Sequence, residues 1–208
     1  MNRLLSTLML LLLGGFSGCS AQSQECEETV VIDSIEYRVP PRWCGKAIDS
    51  ARIPDPATLV RLPDELSFED SRIYVRRETR DAFVRMAEAA RKDSVELITD
   101  SGFRSASFQR KIIRRRLAEG ASFEEVVRFA APPGYSEHET GLVVDLVPSE
   151  ARFAHTPIYE WLTQHAQTYG FVESLPEDST GEAFWESWHW RFDGVADTIP
   201  PAPLMDLQ

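Results

Sequence analysis

Apolar side chains at Ala82, Phe83, Met86, Ala87 and Ala90 recur at the three- and four-residue intervals of one helical face, which predicts a helix from about Arg77 to Lys92. Val95-Glu96-Leu97-Ile98-Thr99 reads as a buried strand, with Ser101-Gly102 as the turn that ends it. A second helix is expected over about 107–118 and a third, short one ends near Phe129, before Pro132-Pro133-Gly134 halts helical structure and starts a loop. Leu142-Val143-Val144-Asp145-Leu146-Val147 has the continuous apolar character of a strand, broken by one carboxylate. Thr156 then suits an N-cap with Pro157 at the first helical position. Ile158, Trp161, Leu162, Ala166 and Tyr169 mark the buried stripe, and Gly170 stands where a helix closes. Trp188 to Phe192 reads as a final strand.

Grouped helices and strands of this kind predict an α+β fold, a single domain over 71–196 with a small, mostly antiparallel sheet flanked by helices. Residues 20–70 are rich in proline and acids and contain Val-Val-Ile-Asp-Ser-Ile-Glu-Tyr-Arg-Val-Pro as a short strand. They read as a tether and wrapping segment, and residues 197–208 as a Pro-rich tail. The 208 residues, 43% of them hydrophobic, suffice for one substantial core. A net charge of −11 argues against a nucleic-acid partner, since such proteins neutralise phosphates with Lys and Arg.

The first residues carry Arg3, an apolar run from Leu8 to Leu13, and small residues up to Cys19. That order is the grammar of an export signal, here residues 1–19, and the apolar run is too short for a permanent span. Phe16-Ser17-Gly18-Cys19 resembles a lipobox, in which the cysteine is lipidated and the chain held on a membrane in the periplasm or cell envelope; the alternative is cleavage after Ala21, releasing a soluble protein. With Cys19 lipidated, Cys26 and Cys44 remain as a pair able to form a disulfide in an oxidising compartment, or as two thiols that never meet.

Chemistry concentrates in Ser136-Glu137-His138-Glu139-Thr140-Gly141-Leu142-Val143-Val144-Asp145 and in Glu186-Ser187-Trp188-His189. An unpaired carboxylate in an apolar strand costs on the order of several kcal/mol, so Asp145 needs a cation, strong donors or an exit to solvent. Two imidazoles and one carboxylate suit a catalytic zinc ion that keeps a fourth position for water, and His138, Asp145 and His189 would fill that role. Glu186 is the candidate base. In a straight strand Glu186 and His189 would face opposite sides, so this reading requires a bend just before the last strand.

Ser101-Gly102-Phe103-Arg104-Ser105, Gln109, the Ser136–Asp145 motif and Glu186-Ser187-Trp188-His189-Trp190-Arg191-Phe192, in this order, resemble the VanY-type zinc D-alanyl-D-alanine carboxypeptidases over about residues 75–195. The resemblance implies a Hedgehog/DD-peptidase-like fold and hydrolysis of the terminal D-Ala-D-Ala bond of peptidoglycan stem peptides by a monomer holding one Zn2+. It also implies zinc on His138, Asp145 and His189, Glu186 as base, Arg104 at the oxyanion, and Ser136 and Gln109 holding the terminal peptide. L,D-carboxypeptidase, D,D-endopeptidase or dipeptidase action, and a non-catalytic zinc-containing wall-binding lipoprotein, are the alternatives. Ser187, Phe103 and His165 depart from the proline, tyrosine and asparagine common in the family. His165 shares its helix's apolar stripe and is expected in the core, His155 in a loop, and the basic run from Arg110 to Arg116 on a solvated face.

Overall fold

The structure, a computed structural model, describes residues 26–177 and 185–194. The export signal with Cys19 and the 197–208 tail lie outside the described residues. The chain begins with a hairpin, β1 (Thr29–Ile32) and β2 (Ile35–Arg38), in which Ile32 pairs with Ile35. Asp33 and Ser34 form its two-residue turn at φ of 48° and 68°, the left-handed geometry that matches strand twist. The sequence pattern suggested one strand here because neither turn residue is glycine.

Short 3-10 turns lead to the two-residue strands β3 (Val60–Arg61) and β4 (Tyr74–Val75), which pair with each other. Helix α1 (Arg77–Lys92) buries Ala82, Phe83, Met86, Ala87 and Ala90, the stripe seen in the sequence. Asp93 ends it and accepts a hydrogen bond from Trp161 Nε1 at 2.8 Å.

Strand β5 (Thr99–Ser101) begins where the expected 95–99 strand was to end. Pairing across to the strand Val143–Leu146 fixes that position: Thr99 lies opposite Leu146, Ser101 opposite Asp145, and a register shift separates them. Helices α2 (Ala106–Ala118) and α3 (Phe123–Val126) follow, the second opened by a capping box between Ser122 and Glu125. After strand β6 (Val143–Leu146) come α4 (Pro157–His165), a 3-10 turn to Tyr169, β7 (Phe171–Glu173) and β8 (His189–Phe192). The four-stranded sheet has the order β5-β6-β8-β7 and is antiparallel throughout.

Two apolar cores result. The larger joins α1, α4 and the sheet through Phe83, Leu146, Phe153, Leu162 and Phe171. The smaller joins the hairpin to α2 and α3 through Val30, Ile32, Val39, Ile113 and Val127, so the 26–39 stretch builds core rather than tether. Residues Tyr135 to Val144 run from the smaller core to the larger one.

Candidate metal centre

His138 sits in the 3-10 turn Glu137–Thr140, closed by Gly141 at φ +69°. Its ring is buried, and Nδ1 donates to the Gly102 carbonyl at 2.6 Å, the geometry of a neutral imidazole with its lone pair on Nε2. Gly102 allows that approach: a Cβ there would stand 2.7 Å from the Tyr74 carbonyl oxygen and 2.8 Å from Ile73 Cγ2.

Asp145 on β6 is the direct cross-strand partner of His189 on β8, and both are buried. Asp145 Oδ1 lies 2.9 Å from His189 Nδ1, and Oδ2 lies 3.0 Å from His138 Nε2. Among the described residues, His138 Nε2 has no hydrogen-bond partner. A lone pair and a carboxylate oxygen thus face each other in a buried place, an arrangement that calls for a cation between them. Burial pushes His138 below the ordinary imidazole range despite Asp145, so a proton is disfavoured there. Burial opposes ionisation of Asp145, yet His138 and His189 hold its carboxyl well below the usual carboxylate range. The donor atoms of His138, Asp145 and His189 all lie within 4.8 Å of one another. Two imidazole nitrogens and a carboxylate oxygen fit a zinc ion.

Glu137, which sequence reasoning left without a role, completes the centre. Its Oε2 lies 3.1 Å from His189 Nε2 and accepts from Ser174 Oγ at 2.6 Å, while Arg191 pairs with Oε1. Burial opposes its ionisation, but hydrogen bonds from His189 and Ser174 and the Arg191 charge pull it down to about 2. A carboxylate on the outer nitrogen of a ligating histidine orients the ring and raises its basicity. Burial lowers the His189 pKa, but hydrogen bonds to Asp145 and Glu137 outweigh it and raise the value to about 9. Without metal, His189 therefore gives one N–H to each carboxylate, and a metal would displace the Nδ1 proton. The signal in the sequence was an acid directly beside His138, indistinguishable there from Glu139.

Glu186 reaches the same place because a turn precedes β8: His189 N donates to the Glu186 carbonyl at 2.9 Å. That is the bend the sequence required, and it brings Glu186 Oε2 to 3.6 Å from His189 Nδ1. Burial pushes the Glu186 carboxyl up to about 7, against the attraction of His189. Arg104 is anchored by its backbone N–H to the His138 carbonyl at 3.2 Å; its Nη2 lies 3.7 Å from Asp145 Oδ2, and its buried Nε has no hydrogen-bond partner among the described residues. Gln109 on α2 is buried, donating from Nε2 to the Ala131 carbonyl at 2.8 Å, with Oε1 unpartnered among the described residues. Ser136 is buried at the start of the His138 turn. Arg104, Gln109, Ser136, His138, Glu186 and His189 line one cleft of about 600 Å³.

The remaining sequence candidates lie elsewhere. Cys26 and Cys44 form a disulfide with Cα atoms 5.7 Å apart. His165 is half-buried against the Trp161 ring, 4.7 Å between centroids, and His155 ends a 3-10 turn. The basic run on α2 is exposed apart from its apolar positions, with Arg114 3.7 Å from Asp33 and Arg115 and Arg116 paired to Glu119.

The profile of the VanY family, described as D-alanyl-D-alanine carboxypeptidase, matches residues 72–195, more than half of the chain. A D-alanyl-D-alanine carboxypeptidase of Enterococcus faecium is 33% identical over 129 residues, 61% of this chain and 40% of its own length. The bifunctional D-Ala-D-Ala dipeptidase and carboxypeptidase VanXYC of Enterococcus gallinarum is 28% identical over 153 residues, 68% of this chain and 76% of that protein. Among solved structures, the LdcB LD-carboxypeptidase superimposes with a TM-score of 0.63 at 28% identity, covering 83% of this chain and 86% of that one. The chain spans about half the length of three curated relatives it matches, 55%, 40% and 44%.

Proposed function

Because the chain belongs to the VanY family of D-alanyl-D-alanine carboxypeptidases, we propose that it is a zinc-dependent carboxypeptidase cutting the terminal D-Ala-D-Ala bond of peptidoglycan stem peptides. The observation that carries this reading is the buried His138–Asp145–His189 cluster with an acceptor lacking a hydrogen bond at its centre and Glu186 beside it. A purely structural metal would need neither a carboxyl tuned near neutrality nor a guanidinium with a free donor.

His138, Asp145 and His189 would hold the zinc, which when bound would supply Lewis-acid chemistry for water and the scissile carbonyl. Glu186, with a pKa near the working pH, takes the proton of the attacking water and returns it to the leaving amine. Arg104 directs its guanidinium at charge developing on the scissile carbonyl oxygen. Ser136 and Gln109 hold the terminal peptide, Gln109 Oε1 accepting from a substrate N–H. The disulfide and the export-signal pattern support a place in the cell envelope, with Cys19 as the lipid attachment point.

The likeness to LdcB over most of both chains favours one second reading, removal of D-alanine from tetrapeptide stems by L,D-carboxypeptidase action. Mass spectrometry of synthetic pentapeptide and tetrapeptide stems separates the two. Loss of one D-alanine from the pentapeptide, stopped by chelation and restored by zinc, is the expected result. Trimming of the tetrapeptide alone moves the assignment to the second reading, and no cleavage of either removes both.

A further inference from the structure

In a protein of net charge −11, five cations among the described residues line the cleft that holds the metal cluster: Arg42, Lys46, Arg52, Arg104 and Arg128. Glu137 and Glu186 are the carboxylates among its described lining residues, and both are committed to the metal centre. Arg42, Lys46 and Arg52 come from a segment that precedes residue 72, where the match to the family begins.

That segment is bolted to the site loop rather than lying loosely over it. Trp43 Nε1 donates to the Val127 carbonyl at 2.8 Å, and Arg42 Nη1 to the Arg128 carbonyl at 3.0 Å. Ile48 N donates to the Gly134 carbonyl at 2.7 Å, two residues before Ser136. Arg76 ties the Arg52 carbonyl to the Thr140 carbonyl by donating to both, at 2.5 and 2.7 Å. The Cys26–Cys44 disulfide fixes its near end. Arg42 also lies over the Trp43 ring, 5.3 Å from its centroid, which holds the guanidinium in one orientation. Burial and the Arg128 charge disfavour the charged form of Arg42, while Glu186 favours it. The Arg42 guanidinium, seated on the Arg128 carbonyl, thus shares the cleft with the like charge of Arg128 and with Glu186, and the two cations repel. An anion between them would relieve that repulsion.

Resting on the hydrolytic reading above, we propose that Arg42, Lys46 and Arg128 form an anion subsite that reads a second carboxylate of the substrate, on the side chain of the residue preceding the D-Ala-D-Ala pair. The N-terminal segment is then a specificity determinant, and the substrate class is stem peptides acidic at that residue. One residue of extended chain spans about 3.5 Å, so a side chain just upstream of the scissile pair stays within a cleft of this size.

The test uses the zinc-loaded full chain and two N-acetylated peptides ending in D-Ala-D-Ala. They differ solely in whether the preceding side chain ends in a carboxylate or its carboxamide. Both Kd and kcat/KM are measured. The wild type should prefer the carboxylate peptide about tenfold, carried by KM and Kd, with the preference shrinking in 0.5 M salt. The pair R42Q/K46Q should reduce it to within about twofold. A wild-type ratio near one, or a variant keeping the wild-type ratio, overturns the subsite. The salt series needs no variant, so misfolding of R42Q/K46Q leaves the question answerable. Charge-selective binding without hydrolysis upholds the subsite and removes the hydrolytic reading; hydrolysis without charge preference does the reverse. Neither binding nor hydrolysis overturns both.

Discussion

His138 Nε2 and Asp145 Oδ2 face each other across 3.0 Å in the protein interior, with the imidazole proton held on the other nitrogen by the Gly102 carbonyl. Replacing the carboxylate by an amide keeps the shape and removes the charge. Asp145→Asn should therefore weaken zinc binding by about a hundredfold or more, read by competition against a chromophoric chelator. Stoichiometric zinc retained at wild-type affinity would take Asp145 out of the ligand set.

Glu186→Gln separates metal binding from chemistry. Zinc should remain bound while kcat falls on the order of a hundred- to ten-thousandfold, the range lost with a positioned general base. Turnover at the wild-type rate would dismiss Glu186 from the mechanism.

Glu137 acts through His189, and its amide should tell. Glu137→Gln is expected to lower zinc affinity about 10- to 100-fold, with the bound metal keeping its three protein ligands. Unchanged affinity would reduce the Glu137–His189 contact to packing.

Zinc binding at pH 7.5 should release about one proton, because His189, with its pKa raised to about 9, is protonated in the metal-free protein and must surrender Nδ1. Calorimetry in buffers of different ionisation enthalpy counts it. No proton release would mean that His189 is already neutral or does not bind metal.

The same groups set how the metal-free protein responds to pH. Glu137, pulled down to about 2, stabilises the fold above its unfolded value of 4.5, and that contribution is lost as pH falls toward 2. Glu186, raised to about 7, makes the native state bind more protons between 4.5 and 7, so stability declines with rising pH there. His189, raised to about 9, contributes fully below 6.5 and loses that contribution as pH climbs through 9. His138, held below the ordinary imidazole range by burial, works the other way up to 6.5, so the chelated protein should unfold at a higher temperature near pH 6.5 than at pH 9. A flat profile across that interval would contradict the raised His189 value.

Helix α1 was legible in the sequence to the residue, because a stripe at 3.6-residue spacing is a local property and the larger core merely receives it. The ligand candidates were legible too, since a histidine in a loop and an aspartate in an apolar strand are each anomalous where they stand. The expected strand over 95–99 moved to Thr99–Ser101 because strand limits depend on the partner, here Leu146 and Asp145. The hairpin at 29–38 was hidden by a turn made without glycine.

The sequence by itself determined the long helix, the strands around Val144 and Trp190, the export-signal pattern and which residue types could bind metal, all of which reside in neighbours along the chain. The tertiary structure alone decided that Asp145 and His189 stand opposite each other, that Glu137 rather than Glu139 supports the second histidine, and that Arg42 and Lys46 border the cleft. Those are relations between segments 44 or more residues apart. They are set by strand register and by side chains closing on one core, quantities that no local pattern carries.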